Sequence, residues 1–336
     1  MPQLPHETVW QLATATVASR TLHVVAELGV ADHIADTPVP TKELAAACGA
    51  EPEALERALL LLAAHSVFKR TPEGFAHTDA SRLLRSDHPM SMRAFPRMMG
   101  MAGFTASFAQ LDYAVRTGRP AFELVSADGL FAHLQRHPDE ARIFDASMTG
   151  KAAGDIAAVL AAYDFSRFTT IADIGGGRGH LLRAVLDTVP SASGILFDLP
   201  DVVASLDLGA DQLAQQRLSL RGGDFFTDKL PGADLYILME VIHDWGTAQA
   251  ASILSAVAEA APPGATVLII EAVVEDTDPD PVVHTLDMIM LAITGGRERT
   301  AAELSQLLHD AGLSATAVLT TPGVLRIVEA VKNSQA

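Results

Sequence analysis

Apolar residues in the first hundred positions recur at helical spacing, with Val9, Leu12, Ala13, Val17, Leu22, Val25, Ala26 and Leu28 along one stretch. This periodicity predicts a long N-terminal helix. A break follows at Asp36-Thr37-Pro38-Val39-Pro40. Thr41 is placed to cap a short helix over Lys42–Cys48. Glu51-Pro52 opens another over Glu53–His65, with Leu55, Ala58, Leu59 and Leu62 on one face; proline in the first helical turn forfeits no hydrogen bond. Val67–Arg70 and Phe75–Thr78 then flank Thr71-Pro72-Glu73-Gly74, whose residues suit a hairpin turn. Helix, turn, helix and hairpin together predict a winged helix.

Beyond about residue 155 the period changes. Short β runs at Thr170–Ile174, Gly194–Phe197, Leu235–Leu238 and Ala265–Ile270 alternate with helical stretches, which predicts an α/β fold with a parallel, doubly wound sheet. Near the end, Ala315–Leu319 and Val324–Ala330 lie either side of Thr321-Pro322-Gly323. They predict a terminal hairpin that adds an antiparallel edge to the sheet. A chain of 336 residues exceeds the roughly 100–200 residues of an ordinary domain. Two domains are therefore expected, a mostly helical winged-helix domain over 1–100 and the α/β domain over 101–336.

Composition narrows the function classes. Hydrophobic residues make up 49% and charged residues 19%, enough apolar material for two packed cores. The net charge of −17 repels a polyanion, since nucleic-acid binding rests on neutralising phosphates with Lys and Arg. The winged-helix segment itself carries seven basic and eleven acidic residues over 1–90, so a packing or dimerisation role is favoured over a DNA-reading or ligand-sensing one. The chain lacks the basic start and apolar run of a signal peptide and any apolar stretch of about 18 residues, and a cytoplasmic protein is expected. Cys48, the one cysteine, reads as a small buried hydrophobe. No metal-ligand spacing stands out.

The strongest chemical signal is Asp173-Ile174-Gly175-Gly176-Gly177-Arg178-Gly179-His180, between an apolar strand and the helical run Leu181–Leu186. Glycines there let the backbone turn tightly and approach a ligand. A dinucleotide fingerprint needs glycine at position 180, which is His180. The acid two residues before Gly175 suits a nucleoside with a cationic tail better than a pyrophosphate. Asp198, followed by Leu199, ends the second strand 23 residues after Gly175, where a carboxylate can accept bonds from two ribose hydroxyls. Gly223-Asp224-Phe225-Phe226 offers an acceptor and an aromatic face for an adenine.

The strand at Leu235 runs into Met239-Glu240-Val241-Ile242-His243-Asp244-Trp245. Ligands of open α/β sheets bind at the carboxyl ends of the strands, so His243 is a candidate base; an imidazole of ordinary pKa near 6.5 can remove a proton close to neutrality. Glu271 closes the run Val267–Ile270, and Glu298 lies in Gly295-Gly296-Arg297-Glu298-Arg299-Thr300. Converging on His243, they would orient its ring and stabilise its charged form. Met98, Met99, Met101, Phe104, Phe131, Met148, Met288 and Met290 are candidates for an adaptable apolar pocket.

With these motifs in place, the chain resembles the plant caffeate-type and bacterial secondary-metabolite O-methyltransferases over essentially its whole length. The glycine loop, Gly223–Phe226, Val241–Trp245, Asp287-Met288 and Gly295–Thr300 carry the resemblance, with Phe144-Asp145-Ala146-Ser147-Met148 matching the helix between cofactor and acceptor. The resemblance implies a Rossmann-like methyltransferase domain and an N-terminal winged-helix domain that forms a homodimer. It implies S-adenosylmethionine as cofactor, bound through Asp173, Gly175, Gly177, Asp198, Leu199, Asp224, Phe225 and Met239. It implies His243 as base, with Glu271 and Glu298 as supports, and Phe144, Met148, Asp244 and Met288 at a small hydroxylated aromatic acceptor. Plant members carry a lysine where this chain has Met239, and some relatives have become hydroxylases or cyclising enzymes. The joint presence of His243, Glu271 and Glu298 argues for methyl transfer.

Overall fold

The computed structural model describes residues 4–206, 216–275 and 280–333. It divides into two compact units, one of residues 1–105 with 138–151, the other of residues 106–137 with 152–336.

In the first unit a helix runs over Pro5–Glu27, followed by helices Thr41–Cys48 and Pro52–Ala64. Strands β1 (Phe68–Thr71) and β2 (Gly74–His77) form the antiparallel wing, which Val39 extends by a bridge to Phe75. Its core gathers Val25, Ile34, Leu44, Leu55, Leu59, Leu62, Phe68 and Phe75. The predicted cap at Thr41 is not the cap. Pro40 holds that position, with no side-chain bond, and Thr41 is the first helical residue. Glu51 does cap its helix, accepting from the N–H groups of Glu53 and Ala54. Cys48 is half-buried, not buried as expected, because it sits at the last position of its helix where packing is one-sided. Met98, Met101 and Phe104 are buried. Only the C-terminal part of the Pro5–Glu27 helix joins this core, through Leu22 and Val25; its N-terminal part is exposed, with Trp10 70% and Leu12 75% exposed and Val9 and Val17 also outward.

The second unit is built on one twisted sheet whose strands follow the order β5-β4-β3-β6-β7-β10-β9. These are β3 (Thr170–Ile174), β4 (Ser193–Asp198), β5 (Leu218–Gly222), β6 (Leu235–Met239), β7 (Thr266–Val274), β9 (Leu313–Thr320) and β10 (Leu325–Lys332), with the short β8 (Arg299–Thr300) paired to the end of β7. The strands β3 to β7 are mutually parallel; β10 runs antiparallel to β7 and to β9. The terminal hairpin is therefore the mixed edge its sequence predicts. Strand β5 goes unnoticed in the sequence, because Leu218-Ser219-Leu220-Arg221-Gly222 is largely solvent-facing at the edge and lacks a β-branched run. The strand predicted to stop before Glu271 continues to Val274, since β10 pairs with Glu271 and Ala272 and β8 with Val273 and Val274.

Both sheet faces are covered. Ile253, Leu254 and Val257 of the Thr247–Ala260 helix pack with Leu304 and Leu308 on one; Leu182, Val185 and Leu186 of the His180–Thr188 helix pack with Val159 and Phe165 on the other. Burial on both faces is why β6 and β7 read as continuous apolar runs. The chain leaves β3 towards β4 and β5, then returns to β6 on the opposite side of β3. Such a reversal opens a crevice at the carboxyl ends of β3 and β6. No helix among the described residues is long and apolar enough to cross a membrane.

Candidate active site

The crevice is lined first by the glycine loop. Gly175, Gly177 and Gly179 take φ of 69°, 58° and 72°, a left-handed backbone that side chains disfavour. A Cβ on Gly177 would meet nothing within 4 Å, so this stretch of loop is open, whereas one on Gly175 would come within 3.0 Å of Val241 and 3.8 Å of the Phe225 ring. The loop, Phe225 and the turn after β6 are thus near neighbours. Asp198 is fixed through both oxygens, which accept from Gly177 N at 2.7 Å and Leu199 N at 2.7 Å. A carboxylate has about four acceptor sites, so these bonds aim the group and still suit it to a pair of vicinal hydroxyls. Asp173 is 2% exposed at the end of β3; burial, helped by the Asp198 charge and opposed by the Leu182 N–H, pushes its carboxyl up to about 7. Two acids at adjacent strand ends beside the loop, Asp173 buried and Asp198 half-buried, are disposed to take a cation.

Asp224 accepts from Phe226 N at 2.9 Å and its own N–H donates to Asp228 at 2.8 Å. Phe225 and Phe226 both stand edge-on to Trp245, at 5.8 and 4.8 Å, and Phe131 stacks on Trp245 at 6.0 Å. This aromatic wall leads from the nucleoside side of the crevice to the turn that carries His243. Leu199 caps the helix Pro200–Ala204 and Met239 ends β6, half-buried.

His243 lies in a single 3₁₀ turn, Ile242–Asp244, directly after β6. Its Nδ1 donates to Glu298 Oε1 at 2.8 Å, and its backbone N–H donates to Glu271 Oε1 at 3.0 Å. With Nδ1–H committed to a carboxylate, the neutral ring carries its lone pair on Nε2, whose nearest acid is Asp244 at 4.0 Å. Glu298 is set in turn by Asp287, which accepts from its backbone N–H at 2.8 Å. Glu298 Oε2 is buried and has no hydrogen-bond partner among the described residues. Burial disfavours the imidazolium, but the Glu298 hydrogen bond and the charges of Asp244, Glu271 and Glu298 outweigh it and push His243 up to about 10. Burial likewise pushes Glu271 up to about 7, against the pull of His243.

The structure thus brings together His243, Glu271, Glu298 and Asp244, and beside them the glycine loop, Phe225 and Asp198. Met288 follows Asp287 on the helix Pro281–Ile293 and is exposed. Phe144 and Met148 are half-buried on the helix Pro138–Ala162, in its part that belongs to the first unit. Arg299 and Asp287, present in the motifs with no role given to them, both contact this machinery; a buried arginine has no signature in a single sequence. Among the described residues no cluster of His, Cys, Asp and Glu suits a metal ion.

The fit to a cationic nucleoside cofactor agrees with comparison to known proteins. A family model described as the O-methyltransferase domain matches residues 108–314, and one described as the O-methyltransferase dimerisation domain matches residues 10–87. The chain is 38% identical to the phenazine O-methyltransferase PhzM of Lysobacter antibioticus, covering 95% of this chain and 94% of that one. It is 38% identical to the 8-amino-8-demethylriboflavin N,N-dimethyltransferase of Streptomyces davaonensis, covering 92% and 90%. The solved O-methyltransferase NcsB1 of neocarzinostatin biosynthesis, in complex with S-adenosylmethionine and 2-hydroxy-5-methyl naphthoic acid, superposes with a TM-score of 0.80 at 31% identity, covering 99% of this chain and 100% of that one. A glycine loop opposed by two acids at the carboxyl edge of the sheet, together with a dimerisation domain ahead of it, places this chain in the family of S-adenosylmethionine-dependent O-methyltransferases.

Proposed function

We propose that the protein methylates a hydroxyl of a small aromatic secondary metabolite, with His243 as general base. The observation that carries this reading is the buried His243–Glu298 bond of 2.8 Å at the end of β6, with Glu271 on the backbone of the same residue. S-adenosylmethionine, when bound, supplies a methyl group on a positively charged sulfur. Asp198 would hold its ribose, Asp224 and Phe225 its adenine, Asp173 and the Gly175–Gly177 backbone its amino acid end, with Leu199 and Met239 in contact around it. Phe144, Met148, Asp244 and Met288 are the residues we assign to acceptor binding. His243 Nε2 accepts the acceptor's hydroxyl proton, Nδ1–H stays on Glu298, and Glu271 keeps the turn in register. Residues around the crevice hold the acceptor oxygen in line and keep water out, the source of much of the acceleration in such displacements.

Residues 1–100 act as the dimerisation domain and 101–336 as the methyltransferase domain. A second copy covers Val9, Trp10, Leu12 and Val17, an apolar face too extended for a monomer. The homodimer works in the cytoplasm. An acidic chain with this fold takes neither nucleic acid nor membrane as partner.

The test is methyl transfer from labelled S-adenosylmethionine to a panel of phenols, naphthols, hydroxyquinones and aromatic amines. Transfer to hydroxylated aromatics is the expected result; transfer confined to the amines would replace oxygen by nitrogen as the acceptor atom, as the riboflavin-related relative's name indicates for that protein. Sedimentation as a monomer at micromolar concentration would remove the dimer.

A further inference from the structure

Arg299 is 2% exposed, and the hydrogen bonds of its guanidinium go to backbone carbonyls, while the charges of Glu271, Glu303 and Glu298 act on it from nearby. Nη1 donates to Ile242 O at 3.0 Å and, at 3.4 Å, to Arg297 O; Nη2 donates to Trp245 O at 2.7 Å. The two firm bonds fall on the residue before His243 and on the second residue after it, so one planar fork spans the turn that carries the imidazole. The fork is itself anchored, because Arg299 pairs in β8 with Val273 of β7.

The turn is held from outside because its own backbone does not favour it. Glu240, at its entrance, takes φ of 54°, a left-handed conformation that persists in a residue other than glycine only where the surroundings over-determine it. The carbonyl of His243 accepts from Arg297 N at 2.8 Å. A Cβ on Gly296 would lie 1.9 Å from that same oxygen, so segment 296–299 is pressed against the turn with no space between. Glu298 fixes the ring, Arg297 N the carbonyl and Arg299 both flanks.

We propose that Arg299 is a positioning residue for His243, clamping the ends of the Ile242–Trp245 turn so that Nε2 meets the acceptor hydroxyl. The proposal rests on His243 acting as the base. Lysine cannot replace the fork, since a single ammonium does not present two fixed donors to two carbonyls.

The experiment is a double-mutant cycle with Arg299→Met, Arg299→Lys and His243→Ala, read by kcat, by cofactor affinity from calorimetry and by thermal midpoint. Arg299→Met is expected to lower kcat by about tenfold or more while cofactor affinity stays within about twofold, and Arg299→Lys to fall between it and the parent. In the His243→Ala background the same Arg299 substitutions are expected to change kcat by less than about twofold, because the group they position is gone. Equal losses with and without His243, or kcat and cofactor affinity falling together with the thermal midpoint, would overturn the proposal and leave the base assignment standing. Near-normal turnover of His243→Ala alone would instead remove the base assignment. Should Arg299→Met not fold, Arg299→Lys completes the same cycle.

Discussion

Two buried acidic sites lie at the carboxyl ends of neighbouring strands, and their charges are arranged differently. At the end of β3 a carboxyl meets a carboxylate: Asp173 rises to about 7 through burial and the Asp198 charge. At the end of β6 the acids surround an imidazole and push its pKa up to about 10 against its burial. Buried like charges are costly and are relieved by a cation from elsewhere. Buried acids around a histidine raise its affinity for a proton. The first arrangement is suited to bind a positive charge and the second to hold and move one.

The largest expected effect comes from breaking the second site. His243→Ala should lower turnover by roughly 10²- to 10⁴-fold, the usual contribution of a general base, with cofactor affinity nearly unchanged by calorimetry. A fall in affinity as large as the fall in turnover would merge the two sites into one. Asp198→Ala is the counterpart at the first site. It removes charge-assisted bonds to the ribose and should weaken cofactor binding by on the order of 2–3 kcal/mol, while turnover at saturating cofactor falls far less.

Smaller effects sharpen the contrast through pH. Asp173 has a folded-state pKa of about 7 against a starting value of 3.8, so its folded form keeps its proton where the unfolded form has lost it. Its contribution to stability is complete below about pH 4 and is lost as pH rises through 7. Asp173→Asn cannot ionise, and its thermal midpoint should exceed that of the parent by a few degrees at pH 8 with no gain near pH 4, at the expense of cofactor affinity. A midpoint difference independent of pH would show that Asp173 is not titrating.

The smallest effect concerns His243's position on the pH scale. Since its pKa is raised, kcat/KM should climb on the alkaline side of the ordinary histidine range and then level off. The Asp244 charge is one cause of that rise, so Asp244→Asn should move the climb towards neutrality. His243→Ala separates this limb from ionisation of a phenolic acceptor, which would persist in the variant. An unmoved profile in Asp244→Asn would leave the acceptor's own ionisation as the titration observed.

Much of this architecture was legible in the chain. The change from helical to strand periodicity near residue 155 announces two kinds of structure, and β6 and β7 are apolar without interruption because both of their faces are buried. The glycine loop was legible for the same reason: a backbone at φ of 58° to 72° between a strand and a helix leaves a local trace in residue type. His243 and Asp198 could be nominated because strand ends are where an open sheet collects its ligands, and Glu298 from the Gly295–Thr300 motif that carries it. Strand β5 escaped because an edge strand needs no apolar pattern.

What the sequence determined, then, is whatever depends on neighbours in the chain: periodicity, turns, the order of strands and the residues at their ends. What the tertiary structure decided depends on pairs far apart. Glu298 reaches His243 across 55 residues and Arg299 reaches Ile242 across 57. Whether Cys48 is buried, whether Glu271 ends a strand or lies within one, and how far a histidine's pKa moves are all set by what the fold packs alongside. Burial and charge act through space, and a one-dimensional pattern records them only where the two happen to coincide.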